Sequence, residues 1–388
     1  MLWTIIHIID ILLWIFIAGS VIYVLFFAVA SLFPQKTIVA PNEEKRHSFL
    51  VLYPAYKEDS VIITSIQKFL RQDYPTDHYH LVVISDQMKE ETNTHLHQFP
   101  ITVLQPSFEK SSKAKALQYA IAQTKEDFDY VVILDADNVV NANFLCQLNS
   151  SCNRGHQAIQ CHRCAKNADN DIAILDGVSE EINNTLFRRA HNIVGLSSAL
   201  IGSGMCFNYK WFAANVEKLN SAVEDRELEA LLMKQNIYIK FEEGIPVYDE
   251  KVSNRDNFQR QRLRWMTGQI QSLLNMLPYI PKAFVTGNIN YIDKTVQQAL
   301  IPRSILIVSI LTFALLMTLI SRVWAAKWWC LFIILSISLF IAIPPQLRTR
   351  SIFGKILQLP ALVWRMLSNL IHIDKNNKEF IHTEHQTN

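Results

Sequence analysis

Glycine is scarce in this chain, with 10 residues in 388. That excludes a glycine-rich linker or fibrous repeat protein, and neither an internal repeat nor a low-complexity tract is present. Net charge is almost absent at +2, so no global field favours nucleic acid as a partner. Lys and Arg are missing from the first 33 residues, a nearly unbroken apolar run. Without a basic start or a small-residue cleavage site, this is not a signal peptide. It exceeds the roughly 20 residues that cross a bilayer. Residues 1–33 are therefore expected to form a permanent transmembrane helix, with the polar His7 and Asp10 near its outer interface. Cysteine is sparse too. Of Cys146, Cys152, Cys161, Cys164, Cys206 and Cys330, only Cys161 and Cys164 share C-x-x-C spacing. A zinc site usually needs a second matching pair, and free thiols are expected instead. The sequon at Asn183 has no use on a cytoplasmic domain.

Two further apolar runs begin at Ser304 and Trp328 and assign 304–345 to a transmembrane hairpin. The Trp-rich "SRVWAAKWW" is expected to link them at the interface. Lys36, Lys45, Arg46, Lys294, Arg303, Arg348, Arg350 and Lys355 fall on one side if the middle of the chain is cytoplasmic, against a minor counter-signal from Arg322 and Lys327. The expected protein is integral to the cell (inner or plasma) membrane, with its large domain and C-terminus inside. In 352–371, Ile352, Ile356, Leu359, Val363, Met366 and Leu370 make an amphipathic stripe suited to lying on a membrane. Pro360 should kink it, and a third C-terminal span is the competing reading. Residues 372–388 form a cytoplasmic tail on this scheme.

Residues 46–291 alternate short apolar runs with longer mixed stretches. "SFLVLYPAY", "YHLVVISD", "ITVLQP" and "YVVILDAD" read as strands, with helices such as "SVIITSIQKFLRQ" and "KAKALQYAIAQ" between them. The alternation predicts one α/β domain with a mainly parallel sheet. Such sheets bind ligands at the carboxyl ends of their strands, and the polar clusters "PAYKED", "SDQ" and "DADN" all follow a strand.

Three clusters carry possible chemistry. Asp135 and Asp137, one residue apart at a strand end, suit a hard cation that completes its shell from substrate phosphates. A polar turn with a helix cap explains the same pair. Glu224 and Asp225 open a predicted helix. They offer a general base for an acceptor hydroxyl, or simply complement the helix dipole with Glu227 and Glu229. Gln261, Arg262, Arg264 and Trp265 place an amide, two forked cations and a flat indole within five residues. A basic helix on a membrane surface, to which Arg260 belongs, is the plainer alternative.

D-x-D, E-D and Q-R-x-R-W in that order, flanked by apolar spans, resemble the membrane-integrated family 2 glycosyltransferases, such as cellulose, hyaluronan and poly-N-acetylglucosamine synthases. The resemblance covers nearly the whole chain. "YPAYKED" resembles the first nucleotide-binding loop, with Tyr53, Pro54, Ala55, Tyr56 and Glu58, and "VVISDQ" the second, with Asp86. "SSKAKALQYA" matches the family's lysine at Lys113. "GSGMCF" resembles the acceptor-side loop, with Gly202, Ser203 and Gly204. "FIHTEH" resembles the C-terminal gating segment, with Phe380 and Thr383 matching. Ser112 and Lys115 stand where glycines are usual, Gln87 where Gly or Asp is usual, and His382 and His385 where Val and Lys are usual.

The resemblance implies a GT-A fold and inverting transfer from a nucleotide-diphosphate sugar, a UDP-sugar foremost. Asp135 and Asp137 would hold Mg²⁺ or Mn²⁺, Asp225 beside Glu224 would be the base, and Asp135, Arg262, Arg264 and Thr383 would serve the donor. Gln261 and Trp265 would bind the acceptor. The acceptor is expected to be a growing polysaccharide, with a lipid-linked sugar as the alternative. Three spans make a thin channel, so a partner subunit or homo-oligomer is expected. A catalytically silent sugar-binding homologue would have lost D-x-D or Asp225, and both are present.

Overall fold

A computed structural model of the protein describes residues 2–35, 45–167, 170–221, 223–251, 255–349 and 354. Phe380, Thr383, the tail 372–388 and, Gly354 apart, the stripe 352–371 lie outside the described residues.

The chain opens with α1 (Leu2–Ala30), then β1 (Phe49–Tyr56), α2 (Ile62–Phe69), β2 (Tyr79–Asp86), α3 (Glu90–Leu96), β3 (Thr102–Leu104), α4 (Lys113–Gln123) and β4 (Tyr130–Ile133). β5 (Val139–Val140), α5 (Phe144–Asn153), β6 (Ala158–Ala165), α6 (Asp171–Asn183) and the short α7 (Ala190–Ile193) follow. Next come β7 (Met205–Asn208), α8 (Tyr209–Asn215), α9 (Glu224–Lys234), β8 (Ile239–Asp249) and α10 (Arg255–Met276). α11 (Ile280–Val285), α12 (Ile289–Ala299), α13 (Arg303–Ile320) and α14 (Arg322–Ala342) complete the order. Two compact units divide after Gln35 and at Gly177/Val178, Gly195/Leu196 and Thr295/Val296.

The larger unit holds one sheet in the order β3-β2-β1-β4-β7-β6-β8-β5. β1 shows why it forms. Phe49, Val51, Tyr53 and Ala55 point into one apolar cluster, while Leu50 and Leu52 point into the other. A strand buried on both faces belongs inside a parallel sheet covered on both sides. α2 and α5 cover one face through Ile62, Ile66, Phe69, Phe144, Leu145 and Leu148. α4, α8 and α9 cover the other through Ala114, Leu117, Phe212, Leu228 and Leu232.

The sheet is mixed, though most of its pairing is parallel, β6 with β8 included. β3, β2, β1 and β4 run parallel, whereas β7 pairs antiparallel with both β4 and β6, and β5 antiparallel with β8. The reversal follows from the Gly202–Gly204 turn, which feeds β7 directly from the edge where β4 ends. Half of "GSGMCF" is therefore strand.

In the helical unit, α1, α13 and α14 are each long and apolar enough to cross a membrane. The expected nine-residue link "SRVWAAKWW" shrinks to Ser321, whose extended backbone separates α13 from α14. Helix resumes at Arg322 because the link's aromatic side chains pack against α1. Trp328 is fully buried and donates from Nε1 to Asp10 at 2.8 Å, Lys327 pairs with Asp10, and Trp324 stacks on His7 at 4.1 Å. His7 and Asp10 thus pack against the first turns of α14. A π-helical stretch, Asn184–Arg189, precedes α7. His191 stacks on Phe27 at 3.7 Å, and its Nδ1–H donates to the Leu186 carbonyl, leaving Nε2 to accept from Tyr23. Lys294, counted above among interfacial cations, is fully buried in the larger unit and acts there on Glu229.

Candidate active site

The sheet collects one site from distant segments. β1 and β2 run parallel in register, so Tyr56 lies beside Asp86 at their carboxyl ends. β4 is parallel to β1 and stops at Ile133, which brings Asp135 to the same edge. β7 starts at Met205 opposite Ile133, so the Gly202–Gly204 turn enters there too. Gly202 and Gly204 have φ of +85° and +63°, a region that side chains rarely adopt. A Cβ at 204 would also meet Val247 Cγ2 at 3.0 Å.

Lys113, at the start of α4, is the hub. Its Nζ donates to Asp135 and to the Gly202 carbonyl at 2.6 Å, and lies 3.6 Å from Glu224 Oε1. Ser112 explains one departure from the family pattern, because its hydroxyl caps α4 by accepting from the Lys115 N–H at 3.2 Å. Glu224 and Asp225 open α9. An atom at the Cβ position of Gly202 would sit 3.7 Å from Asp225 Oδ2 and 3.8 Å from Glu224 Oε1. Asp225 Oδ1 accepts from the Arg226 N–H at 2.9 Å. The side chain of Glu224 is buried while that of Asp225 is partly open.

Charge in this cluster follows from burial and crowding. Burial pushes the Glu224 carboxyl up to about 7; Asp225 and Asp135 add to this, and Lys113 opposes it. Burial alone would weaken the Lys113 ammonium, but Asp135, Glu224 and Asp225 together hold its pKa above the ordinary lysine value. One cation thus faces three carboxylates. Such an oxygen-rich, acid-rich site fits a hard divalent cation on Asp135 and Asp137. Asp137 is fixed from two sides, its Oδ2 accepting from the Glu250 N–H at 2.7 Å and its Oδ1 from Asn138 Nδ2 at 3.1 Å. Arg163 and Lys251 hold β8 at this end by pairing with Asp249. Burial would raise the Asp249 pKa, yet the two cations keep it below the usual range.

On the other flank, Pro54, Ala55 and Tyr56 are the last residues of β1, and the Glu58 carbonyl accepts from Ile62 to start α2. Asp86 ends β2 almost fully buried, which raises its pKa against a hydrogen bond from Ser111 and the charge of Lys57. Gln87 has φ +55°, strained for a residue with a side chain. Its amide accepts from Tyr56 and donates to Ser111.

Gln261, Arg262, Arg264 and Trp265 all lie on α10. Arg262 donates to Asp176 Oδ1 at 2.5 Å and lies 4.8 Å over the Trp265 ring.

Several contributors escaped the sequence reading. Asp176 on α6 sits 86 residues from its partner Arg262, and nothing local marks it. Glu229, assigned above to the helix dipole, is buried and accepts the Leu200 N–H at 2.8 Å, bracing the entry to the glycine turn. Glu227, in the first turn of α9, also accepts from the Asn220 and Ser221 N–H groups. Ser203, expected on the acceptor side, is fully buried with its hydroxyl on Asn138. Asn138 had a signal, as an amide directly following D-x-D.

The model of the family "Glycosyl transferase family group 2" matches residues 130–343. By sequence, none of the curated proteins matches the chain. The mannosyltransferase PcManGT from Pyrobaculum calidifontis, solved with GDP-Man and Mn²⁺, aligns at TM-score 0.56 and 15% identity, covering 94% of this chain and 98% of that one. S. aureus TarS with UDP-GlcNAc aligns at TM-score 0.42 and 12% identity, covering 67% and 86%. Glucosyl-3-phosphoglycerate synthase from Mycobacterium tuberculosis, with Mn²⁺, UDP and phosphoglyceric acid, aligns at TM-score 0.37 and 17% identity, covering 54% and 75%. The likeness to PcManGT shows the α/β fold of GT-A glycosyltransferases. The matched family model spans more than half of the chain, which is a glycosyltransferase and belongs to glycosyl transferase family group 2.

Proposed function

We propose that the protein transfers a sugar, with inversion, from a nucleotide-diphosphate sugar to a saccharide acceptor at the cytoplasmic face of the cell membrane. The carrying observation is the junction at Lys113, where the D-x-D carboxylate Asp135, the acid pair Glu224–Asp225 and the Gly202 turn converge. In this reading Asp86 and the Pro54–Glu58 loop hold base and ribose, and Lys113, Arg262 and Arg264 donate to diphosphate oxygens. Asp135 and Asp137 would hold Mg²⁺ or Mn²⁺, which as a Lewis acid stabilises the departing diphosphate. Asp225, the more open of the two acids, takes the proton of the acceptor hydroxyl as its oxygen bonds to the anomeric carbon and the bond to the diphosphate breaks. Trp265, oriented under Arg262, provides a flat face for the acceptor sugar, with Gln261 beside it. The Gly202 and Gly204 backbone lines the acceptor side.

The family resemblance supports a UDP-sugar and a growing polysaccharide, while PcManGT was solved with GDP-Man and Mn²⁺. The donor test must therefore include both nucleotides. Transfer to a lipid-linked acceptor is the second reading, favoured by the three candidate spans among the described residues, few for a polymer channel without a partner subunit or a second copy. The experiment is nucleoside diphosphate release by detergent-purified protein across UDP- and GDP-sugars, with Mg²⁺, Mn²⁺ or EDTA. One donor should give ion-dependent release that Asp137→Asn and Asp225→Asn abolish. Release indifferent to both substitutions would refute the assignment.

A further inference from the structure

Asn138 is fully buried between the D-x-D turn and the glycine turn. Its Oδ1 accepts the backbone N–H of Asp135 at 2.9 Å and the hydroxyl of Ser203. Its Nδ2 donates to Asp137 Oδ1 at 3.1 Å. The amide orientation is not arbitrary, because a backbone N–H can only donate and an ionised carboxylate can only accept. A side chain of this length must offer an acceptor and a donor at once, and asparagine does so. Alanine offers neither, serine is too short for all three, and an ionised aspartate would set two carboxylates against each other.

These contacts have a consequence for the acceptor side. Ser203 lies between Gly202, whose carbonyl is held by Lys113, and Gly204, whose carbonyl accepts from the Cys161 N–H at 2.8 Å. Gln160 reinforces the same stretch by donating to the Ser203 carbonyl at 2.9 Å and accepting from the Ile201 N–H at 3.0 Å. The one side-chain hydroxyl of the turn thus reports directly on the D-x-D loop. Both glycines occupy positive φ, which glycine adopts freely and other residues rarely do, so the hydrogen bonds around the turn are what hold it in place.

We infer that Asn138 is a positioning residue that couples the D-x-D carboxylates to the acceptor-side turn, so that cation binding at Asp135 and Asp137 stiffens residues 201–204. This rests on the functional reading above for the identity of the ion, but not for the tie itself. Two measurements on the full chain in detergent separate the two. The first is amide hydrogen exchange with no ion added, in wild type, Asn138→Ala, Asn138→Asp and Ser203→Ala. Loss of a buried hydrogen bond should speed local exchange by roughly tenfold. Asn138→Ala should do so at Asp135 and over 201–204, and Ser203→Ala over 201–204 alone. Asn138→Asp keeps the acceptor oxygen but sets a carboxylate against Asp137, so it should exchange faster than wild type at both places, though less so than Asn138→Ala. Unchanged exchange in the alanine variants would overturn the tie. So would equal acceleration across the whole unit, which marks general loosening.

The second measurement adds Mn²⁺ alone. Wild type should gain protection over 201–204 as well as around 135–137, while Ser203→Ala should keep the second and lose the first. Equal protection of 201–204 in both proteins would overturn the coupling. Failure of wild type to bind Mn²⁺, read by the electron paramagnetic resonance of the free ion, would sink the metal assignment and with it this coupling, leaving the tie to stand or fall on the first measurement.

Discussion

The helical unit and the sheet unit each bury an ammonium against a carboxylate, and the two pairs differ in a way that separates structure from chemistry. Asp10 has one oxygen on Trp328 Nε1 and the other on Lys327. One anion meets one cation, and the donors come from a single neighbouring helix. Lys113 instead faces Asp135, Glu224, Asp225 and a backbone carbonyl drawn from three segments. The first arrangement is closed and joins α1 to α14. The second has more acid than base, so it gains from a further cation, and burial pushes its Glu224 carboxyl up to about 7. Burial of charge alone does not mark a functional site, whereas an imbalance among converging segments does.

The comparison breaks most sharply at the base. Asp225→Asn should lower turnover by about 10² to 10⁴ while leaving the unfolding temperature close to wild type, because its carboxylate is partly open. Asp10→Asn should do the reverse. It leaves Lys327 without its carboxylate and should destabilise by roughly 3–5 kcal/mol, read by thermal unfolding in detergent, with turnover per folded molecule unchanged. If Asp10→Asn instead abolished turnover at full stability, the division drawn between the two pairs would fail.

A third test uses pH. Glu224 titrates at about 7 in the fold against 4.5 for an ordinary glutamate. An acid with a raised folded pKa binds more protons folded than unfolded, so its contribution to stability is greatest below about pH 4.5 and declines as pH rises through about 7. Glu224→Gln should flatten that part of the stability–pH curve, measured as unfolding temperature between pH 4.5 and 8. An unchanged slope would show that Lys113 keeps Glu224 ionised. The smallest effect belongs to Ser112. Ser112→Ala should cost about 1 kcal/mol through loss of the α4 cap, and Ser112→Gly only a few tenths. A large loss for glycine would mean that the serine does more than cap.

Much of the fold was legible because it depends on patterns within a single segment. "KAKALQYAIAQ" is α4 from end to end, and β1 and β2 occupy the runs assigned to them. Strand direction was not legible. An apolar run such as "MCFN" looks the same in either direction, and only the turn at Gly202–Gly204 reverses it. The helix linker was misjudged for a related reason. Its tryptophans look like part of a connecting link in isolation, but Trp328 lies within α14 and has a buried partner in Asp10, 318 residues away. At the site, clusters of adjacent residues stood out, while Asp176, Glu229 and Asn138 drew little notice because their partners lie elsewhere in the chain.

By itself, the sequence determined several helices and strands, β1, β2 and α4 among them, and which three segments are apolar enough to cross a membrane, since periodicity and run length are local properties. It also presented the acids, cations and glycines in an order that resembles a known family. Only the tertiary structure decided that Lys113 is shared among three acids, that Glu224 is buried where Asp225 is open, and that Asn138 joins two turns. Those facts depend on strand order and register, which bring residues 113, 135, 202 and 224 to one edge of one sheet. Desolvation and electrostatic pairing act between neighbours in space, so they are settled only once the chain has chosen its neighbours.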